Sequence, residues 1–258
     1  MHAVSQKLSS FVLGHQASAS TNASLHIKPL KTISRHVGLL FDPKTYRSLT
    51  SLGEALDRFD QGPGQTVLNE EIRALFERTE GAADLFGIGL LHSHFDMDDD
   101  EILVEHGSTS TPWKVPQDPT NFMAGHIVPR SWCFESGSDI TRLRAYEFAF
   151  QSHNGDEDNV VVGLEAHQDF IQDLYRILEK NDLTSTLGLM AISPDYLPRH
   201  GREVVKCERT FGRANVVFNI GPNDLDDKEK RTSIWVFGRP NNSRHEAMLC
   251  FSGCMCKR

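Results

Sequence analysis

The chain has 258 residues, 39% of them hydrophobic and 24% charged, and a formal net charge of −8. This composition belongs to an ordinary folded protein rather than a disordered or membrane-spanning one, and an acidic chain without clustered Lys and Arg excludes a phosphate-neutralising nucleic-acid groove. At this length one core removes roughly 70–75% of the unfolded chain's surface from water, so neither a disulfide nor a metal is needed merely to fold, and the expected partner is a small molecule.

Residues 1–49 read as a leader segment, partly flexible: the first 41 contain no Asp or Glu, Ser is frequent, and Pro29 interrupts any long helix. Residues 50–258 read as a single α+β catalytic domain. Ser51 and Glu54 have capping-box spacing, and Leu52, Ala55, Leu56 and Phe59 fall on one helical face. The QGPG of residues 61–64 breaks the chain. A second helix carries Leu68, Ile72, Leu75 and Phe76, with Gly81 placed to end it. A β-hairpin is expected next, from 86–95 through a polar turn at 96–100 to 101–106.

The Pro-rich interval 111–129 reads as loop, with a short strand available at 122–128. SWCF and YEFAF read as strands, and the apolar spacing over 164–180 predicts an amphipathic helix stopped by Asn181. TLGLMAI, ANVVFNI, TSIWVFG and EAMLCF follow as short β-rich runs. The expected fold is α+β: a mostly antiparallel sheet with two to three packed helices in a single domain.

Five cysteines, three of them in the last nine residues, do not form the even, dispersed set of a secreted disulfide scaffold. An intracellular, cytoplasmic location is expected, and no apolar run approaches the ~20 residues that span a bilayer.

The chemistry concentrates in GLLHSHF. On a strand, His92 and His94 would share a face with Ile88 and Leu90, which delivers two imidazoles to a metal or a buried substrate. A hydrogen-bonded core pair is the plainer reading of the same spacing. Asp96, Asp98 and Asp100 imitate the opening of a calcium loop, but Glu101 and Gly107 stand where that loop needs Gly and Glu, so the run reads as a solvated turn. At the other end His245, Cys250, Cys254 and Cys256 form H-x4-C-x3-C-x-C, a donor set suited to zinc, with Cys133 or Cys207 as a distant ligand. Glu105, Glu147, Glu165, His126 and His167 are the remaining acid–base candidates.

Two resemblances bear on these residues. Gly87, His92, His94, Glu101 and Gly107 resemble the first metal motif of the cupin barrels, which implies a metal-dependent oxygenase, although the interval from His94 to Glu101 is longer than in that family. GIGLLHSHF with EILVE, the long helix into LGLMAI, the late TSIWVFG and the Cys-rich tail resemble a group of fungal proteins that includes the cyclopenases of quinolone alkaloid biosynthesis. That likeness implies a lyase of secondary metabolism. Its substrate would be an aromatic alkaloid, cyclopenin or cyclopenol, contracted to viridicatin or viridicatol with loss of methyl isocyanate. Such enzymes have been likened to hemocyanin-type proteins, but the chain has no H-x3-H pair for dinuclear copper, so a mononuclear zinc, or no metal at all, is expected.

Opening an epoxide needs an acid at its oxygen, and expelling an isocyanate needs a base for an amide proton. His92, His94 and Glu105 are the expected catalytic residues, and Phe95, Trp113, Phe122 and Trp132 the expected aromatic walls. The expected metal ligands are drawn from His92, His94, Cys133, Cys207, His245, Cys250 and Cys254. The opposing class is a non-catalytic zinc-binding module.

Overall fold

The computed structural model describes residues 40–41, 43–114, 126–135, 142–151, 159–192, 205–220, 230–237 and 245–251. After a two-residue strand β1 (Leu40–Phe41) and a short helix α1 (Pro43–Arg47), α2 runs over Leu52–Gln61. Ser51 and Glu54 form the capping box expected of them, and Leu52, Ala55 and Phe59 are the buried stripe. The second expected helix is a composite: α3 (Gly64–Val67), a π-helical turn at Leu68–Ile72, and α4 (Arg73–Arg78). Gly81, at φ 78°, opens the short α5 (Ala82–Leu85) rather than closing the helix before it.

Among the described residues eleven strands make one sheet. After β1 they are β2 (Phe86–Leu90), β3 (Glu101–His106), β4 (Thr109–Lys114), β5 (His126–Glu135), β6 (Arg142–Gln151), β7 (Leu187–Ala191), β8 (Val205–Phe211), β9 (Ala214–Ile220), β10 (Lys230–Val236) and β11 (His245–Phe251). Their order is β1-β6-β3-β4-β9-β8-β11-β10-β2-β7-β5, and β5 also pairs with β6. The sheet therefore closes on itself, with β1 added beside β6. Closure leaves few open edges and creates an inside.

Helices cover part of the outside. The last two are α6 (Asn159–Ala166) and α7 (Gln168–Lys180), the latter stopped at Asn181 as expected. Phe59 of α2 stacks on Trp235 at 5.0 Å, and Phe76 of α4 stacks on Phe237 at 4.3 Å while meeting Phe170 of α7 edge-on. Phe86, Ile88, Trp132, Leu187 and Leu189 complete this core from the sheet.

Four expectations are corrected. Strands β2 and β3 do not form a hairpin: β2 pairs with β7 and β10, while β3 pairs with β4 and β6. The tight Gly107–Ser108 turn, with Gly107 at φ 66°, is what folds β3 back, onto β4. The interval 111–129 is not all loop, since Pro112 sits in β4 and Pro129 in β5 beside a register irregularity. The helix expected over 164–180 is broken at His167, whose ring contacts the carbonyl of Gly163 at 2.8 Å. The sheet is mostly antiparallel, as expected, with parallel pairing at three joints, β1–β6, β3–β6 and β11–β8, but the helical segments outnumber the two or three expected, because the longer apolar stripes are interrupted and α1 and α5 are single short turns.

Candidate metal centre

β2 ends at Leu90, and the chain that follows is fixed by long-range bonds instead of a ladder. The N–H of Leu91 donates to the carbonyl of Thr186 (2.8 Å), that of Ser93 to Thr50 (2.8 Å), and that of His94 to the Tyr46 hydroxyl (2.8 Å). Ser51 and Ser93 form an isolated parallel bridge. Held this way, His92 and His94 keep the two-residue alternation of a strand without being in one. Their rings lie T-shaped with centroids 4.7 Å apart, at 5% and 3% exposure.

The carbonyl of Leu90, an acceptor only, lies 2.8 Å from His92 Nδ1 and places the ring proton there. His92 Nε2 therefore carries a lone pair. It is buried without a hydrogen-bond partner, 3.9 Å from Glu208 Oε1. Burial, and then the neighbouring His94, push the His92 pKa down against the opposing pull of Glu208, so the ring is neutral at neutral pH. A neutral ring makes the Glu208 approach a lone pair facing a carboxylate, not an ion pair.

Such an arrangement is costly unless a cation lies between the two. The pattern of one ring nitrogen donating to a backbone carbonyl while the other points at further donors is the usual setting of a metal-ligating histidine.

Glu208, on β8, reaches the second imidazole too, with Oε2 3.8 Å from His94 Nε2. Its carboxylate is held by the Ser233 hydroxyl on Oε1 (2.9 Å) and the Asn215 amide on Oε2 (3.0 Å). His92, His94 and Glu208 offer donor atoms that all lie within 4.8 Å of one another. Donors about 2.1 Å from one ion sit about 3.0–3.4 Å apart, so loading closes the two separations to Glu208 by about half an ångström and the widest separation of the group by up to about 1.4–1.8 Å. The residues fit a divalent ion.

Glu147 of β6 stands just outside this group, with Oε1 3.7 Å from His94 Nε2 and Oε2 accepting from Ser131 at 2.8 Å. Burial raises its pKa, but the adjacent His94 ring, the Ser131 hydroxyl and Arg130 outweigh that, and the net direction is down. The cavity that these side chains share has a volume of about 30 Å³. That is room for an ion and about one or two waters.

The expected residues fare unequally. Glu105 lines this cavity, but its carboxylate is paired with Arg130. Glu101, the cupin-like glutamate, turns away: it accepts from the Asp98 N–H at 2.8 Å and pairs with Arg213. Phe95 packs in a separate cluster with Tyr46, Leu91, Met97, Leu103 and Tyr146. Trp132 is fully buried in the main core, and Trp113 lies half-buried against Phe150 with its indole N–H on Thr111. None of these three aromatics lines the cavity, because each satisfies its apolar surface elsewhere.

Cys133 donates to the Arg144 carbonyl at 3.6 Å, and burial pushes its thiol up to about 11; Cys207 is buried one position before Glu208. Neither belongs to the donor group. His245 and Cys250 lie on β11 without described side chains, and Phe122, Cys254, Cys256 and residues 1–39 and 42 of the leader fall outside the described residues.

Glu208 escaped sequence reasoning because β8 itself did. The signal was available: in CERTFGRAN, Glu208 and Thr210 alternate on one strand, and Asn215 follows a Gly–Arg turn onto the next.

No protein-family model, curated protein or solved structure matches the chain. Among the described residues no helix is long and apolar enough to cross a membrane.

Proposed function

We propose that the chain is a divalent-metal enzyme in which His92, His94 and Glu208 hold zinc, and that it carries out the cyclopenase-type ring contraction of a benzodiazepinedione epoxide. One observation carries the first half: a tautomer-fixed, neutral His92 Nε2 faces a buried carboxylate beside a second imidazole. The reaction rests on the resemblance of GIGLLHSHF and the later strands. When bound, zinc supplies a Lewis acid for the epoxide oxygen.

Glu147 replaces Glu105 as the group that accepts the amide proton, since Arg130 occupies the Glu105 carboxylate while Glu147 Oε1 faces His94. A cavity of about 30 Å³ takes the reacting oxygen and no aryl ring, so the rings of such a substrate rest at its mouth.

The test is elemental analysis of the purified chain followed by incubation with cyclopenin and assay of methylamine from released isocyanate. About one zinc per chain with turnover is the expected result. Zinc without turnover removes the lyase and leaves a zinc-binding module.

A second reading is favoured by the closed sheet together with a two-histidine, one-carboxylate set, the pattern of non-haem iron oxygenases. Stoichiometric iron and substrate-dependent oxygen consumption would select it.

A further inference from the structure

The Asn215 side chain is only 3% exposed and lines the same cavity. Its terminal amide atom, assigned as Nδ2, lies 3.0 Å from Glu208 Oε2 and 3.3 Å from His94 Nε2. Two neighbouring ligands on one ion are separated by about 3.0–3.4 Å. The amide is thus spaced from Glu208 and His94 as a co-ligand would be, closer than either histidine is to Glu208.

Glu208 Oε2 is an acceptor, so the nitrogen belongs there, and it donates to His94 Nε2 as well in the tautomer that carries the ring proton on Nδ1. A loaded centre reverses that demand. The lone pairs of His94 and Glu208 turn to the ion, and an NH2 group aimed at a cation is repelled. Turning the amide about its last bond exchanges nitrogen and oxygen at observed positions with no movement of the backbone.

The rest of the surroundings permits it. The Thr210 hydroxyl, directly across the ladder from Asn215, lies 3.4 Å from Oδ1 and can donate to an oxygen or accept from a nitrogen in its place. The Gly212–Arg213 turn, with Gly212 at φ 59°, sets the register that puts Glu208, Thr210 and Asn215 on one face.

We propose that Asn215 is the fourth protein ligand of the centre, its amide oxygen joining His92 Nε2, His94 Nε2 and Glu208 when the ion enters, so that a substrate oxygen would come in as a fifth donor. The proposal rests on the metal reading of this site and adds a neutral, hard oxygen donor to it, which favours zinc and other ions that accept oxygen over thiophilic ones.

The experiment is titration of the full-length chain with chelator-buffered Zn²⁺, and thermal melting with and without Zn²⁺, for the wild type and three variants. Asn215→Ala is expected to weaken zinc binding about 10–100-fold. Asn215→Asp places a second carboxylate beside Glu208, so its zinc-free melting temperature is expected to fall while its zinc-induced rise exceeds that of the wild type. This second variant keeps the test open if the first does not fold. Asn215→Ala binding zinc as tightly as wild type, or more tightly, overturns the proposal, as does an Asn215→Asp melting temperature lowered equally with and without zinc. A wild type that takes up no zinc, or one whose uptake is unchanged by His92→Ala, overturns the centre itself and the ligand role with it.

Discussion

The backbone N–H of His94 donates to the hydroxyl of Tyr46 across 2.8 Å, inside a cluster where Tyr46 is only 2% exposed. An imidazole of the centre is thereby hung from helix α1 rather than from a strand. Tyr46→Phe keeps the packing and deletes the acceptor, leaving a buried N–H without it at a cost of about 1–3 kcal/mol. Zinc affinity is expected to fall about tenfold, as for other groups that orient a ligand. Urea unfolding and a zinc titration on the same sample measure both. An unchanged affinity would show that Thr50 and Ser51 fix the segment unaided.

Glu208→Gln removes the charge and retains the shape, and the Ser233 hydroxyl can reverse its bond to suit an amide. Zinc binding is expected to weaken by more than about 100-fold, beyond the loss for an orienting residue. The chain should stay folded, since a carboxylate facing a lone pair disappears. Loss of the fold together with the metal would mean that Glu208 is structural first.

The residues that announce themselves in sequence are those whose pattern is local. The capping box of Ser51 and Glu54, the stripe of α2 and the Asn181 stop depend on neighbours within one turn, and they were legible for that reason. His92 and His94 were legible as a pair because two-residue alternation survives even where the ladder does not. Their strand partner was not. Whether β2 pairs with β3 or with β7 and β10 is decided by burial over long separations, to which a hairpin signal is blind. Glu208 sits in a strand of mixed polarity, so alternation there looked like surface until the ring of strands enclosed it.

Glycines separate two kinds of tolerance. A Cβ at Gly188 would strike the carbonyl oxygen of Trp132 and come within 2.6 Å of Leu91 Cδ2, where β5 and β7 meet. Gly188→Ala is expected to cost about 3 kcal/mol or more. At Gly53, exposed in α2, a Cβ meets nothing within 4 Å, and Gly53→Ala is expected to stabilise by about 0.5–1 kcal/mol. Thermal melts of the pair test the closeness of the strand packing. A mild Gly188→Ala would mean that the two strands separate easily.

Cys133 provides the pH prediction. Its thiol is held up to about 11 against an ordinary 9.0, so between those values the unfolded chain has lost a proton that the folded chain retains. Folding then binds more protons than unfolding, and stability declines as pH rises from about 9 toward 11. At pH 8 the native thiol should resist iodoacetamide while the urea-unfolded one reacts, read out by peptide mass spectrometry. Rapid native labelling of Cys133 would contradict the raised pKa of this half-buried thiol.

The contact between His94 and Asn215 joins residues 121 positions apart, and Glu208 and Ser233 enter the same cavity from β8 and β10. A centre assembled from such distant parts exists only after the ring of strands has closed, because long loops must be ordered before their contacts repay the entropy. Zinc then has nothing to grip during the early collapse except an isolated H-x-H. If the site takes zinc as proposed, the stabilisation is expected in the unfolding limb of the kinetics: escape from the native state should slow with added zinc, while the rate of reaching it stays as it was.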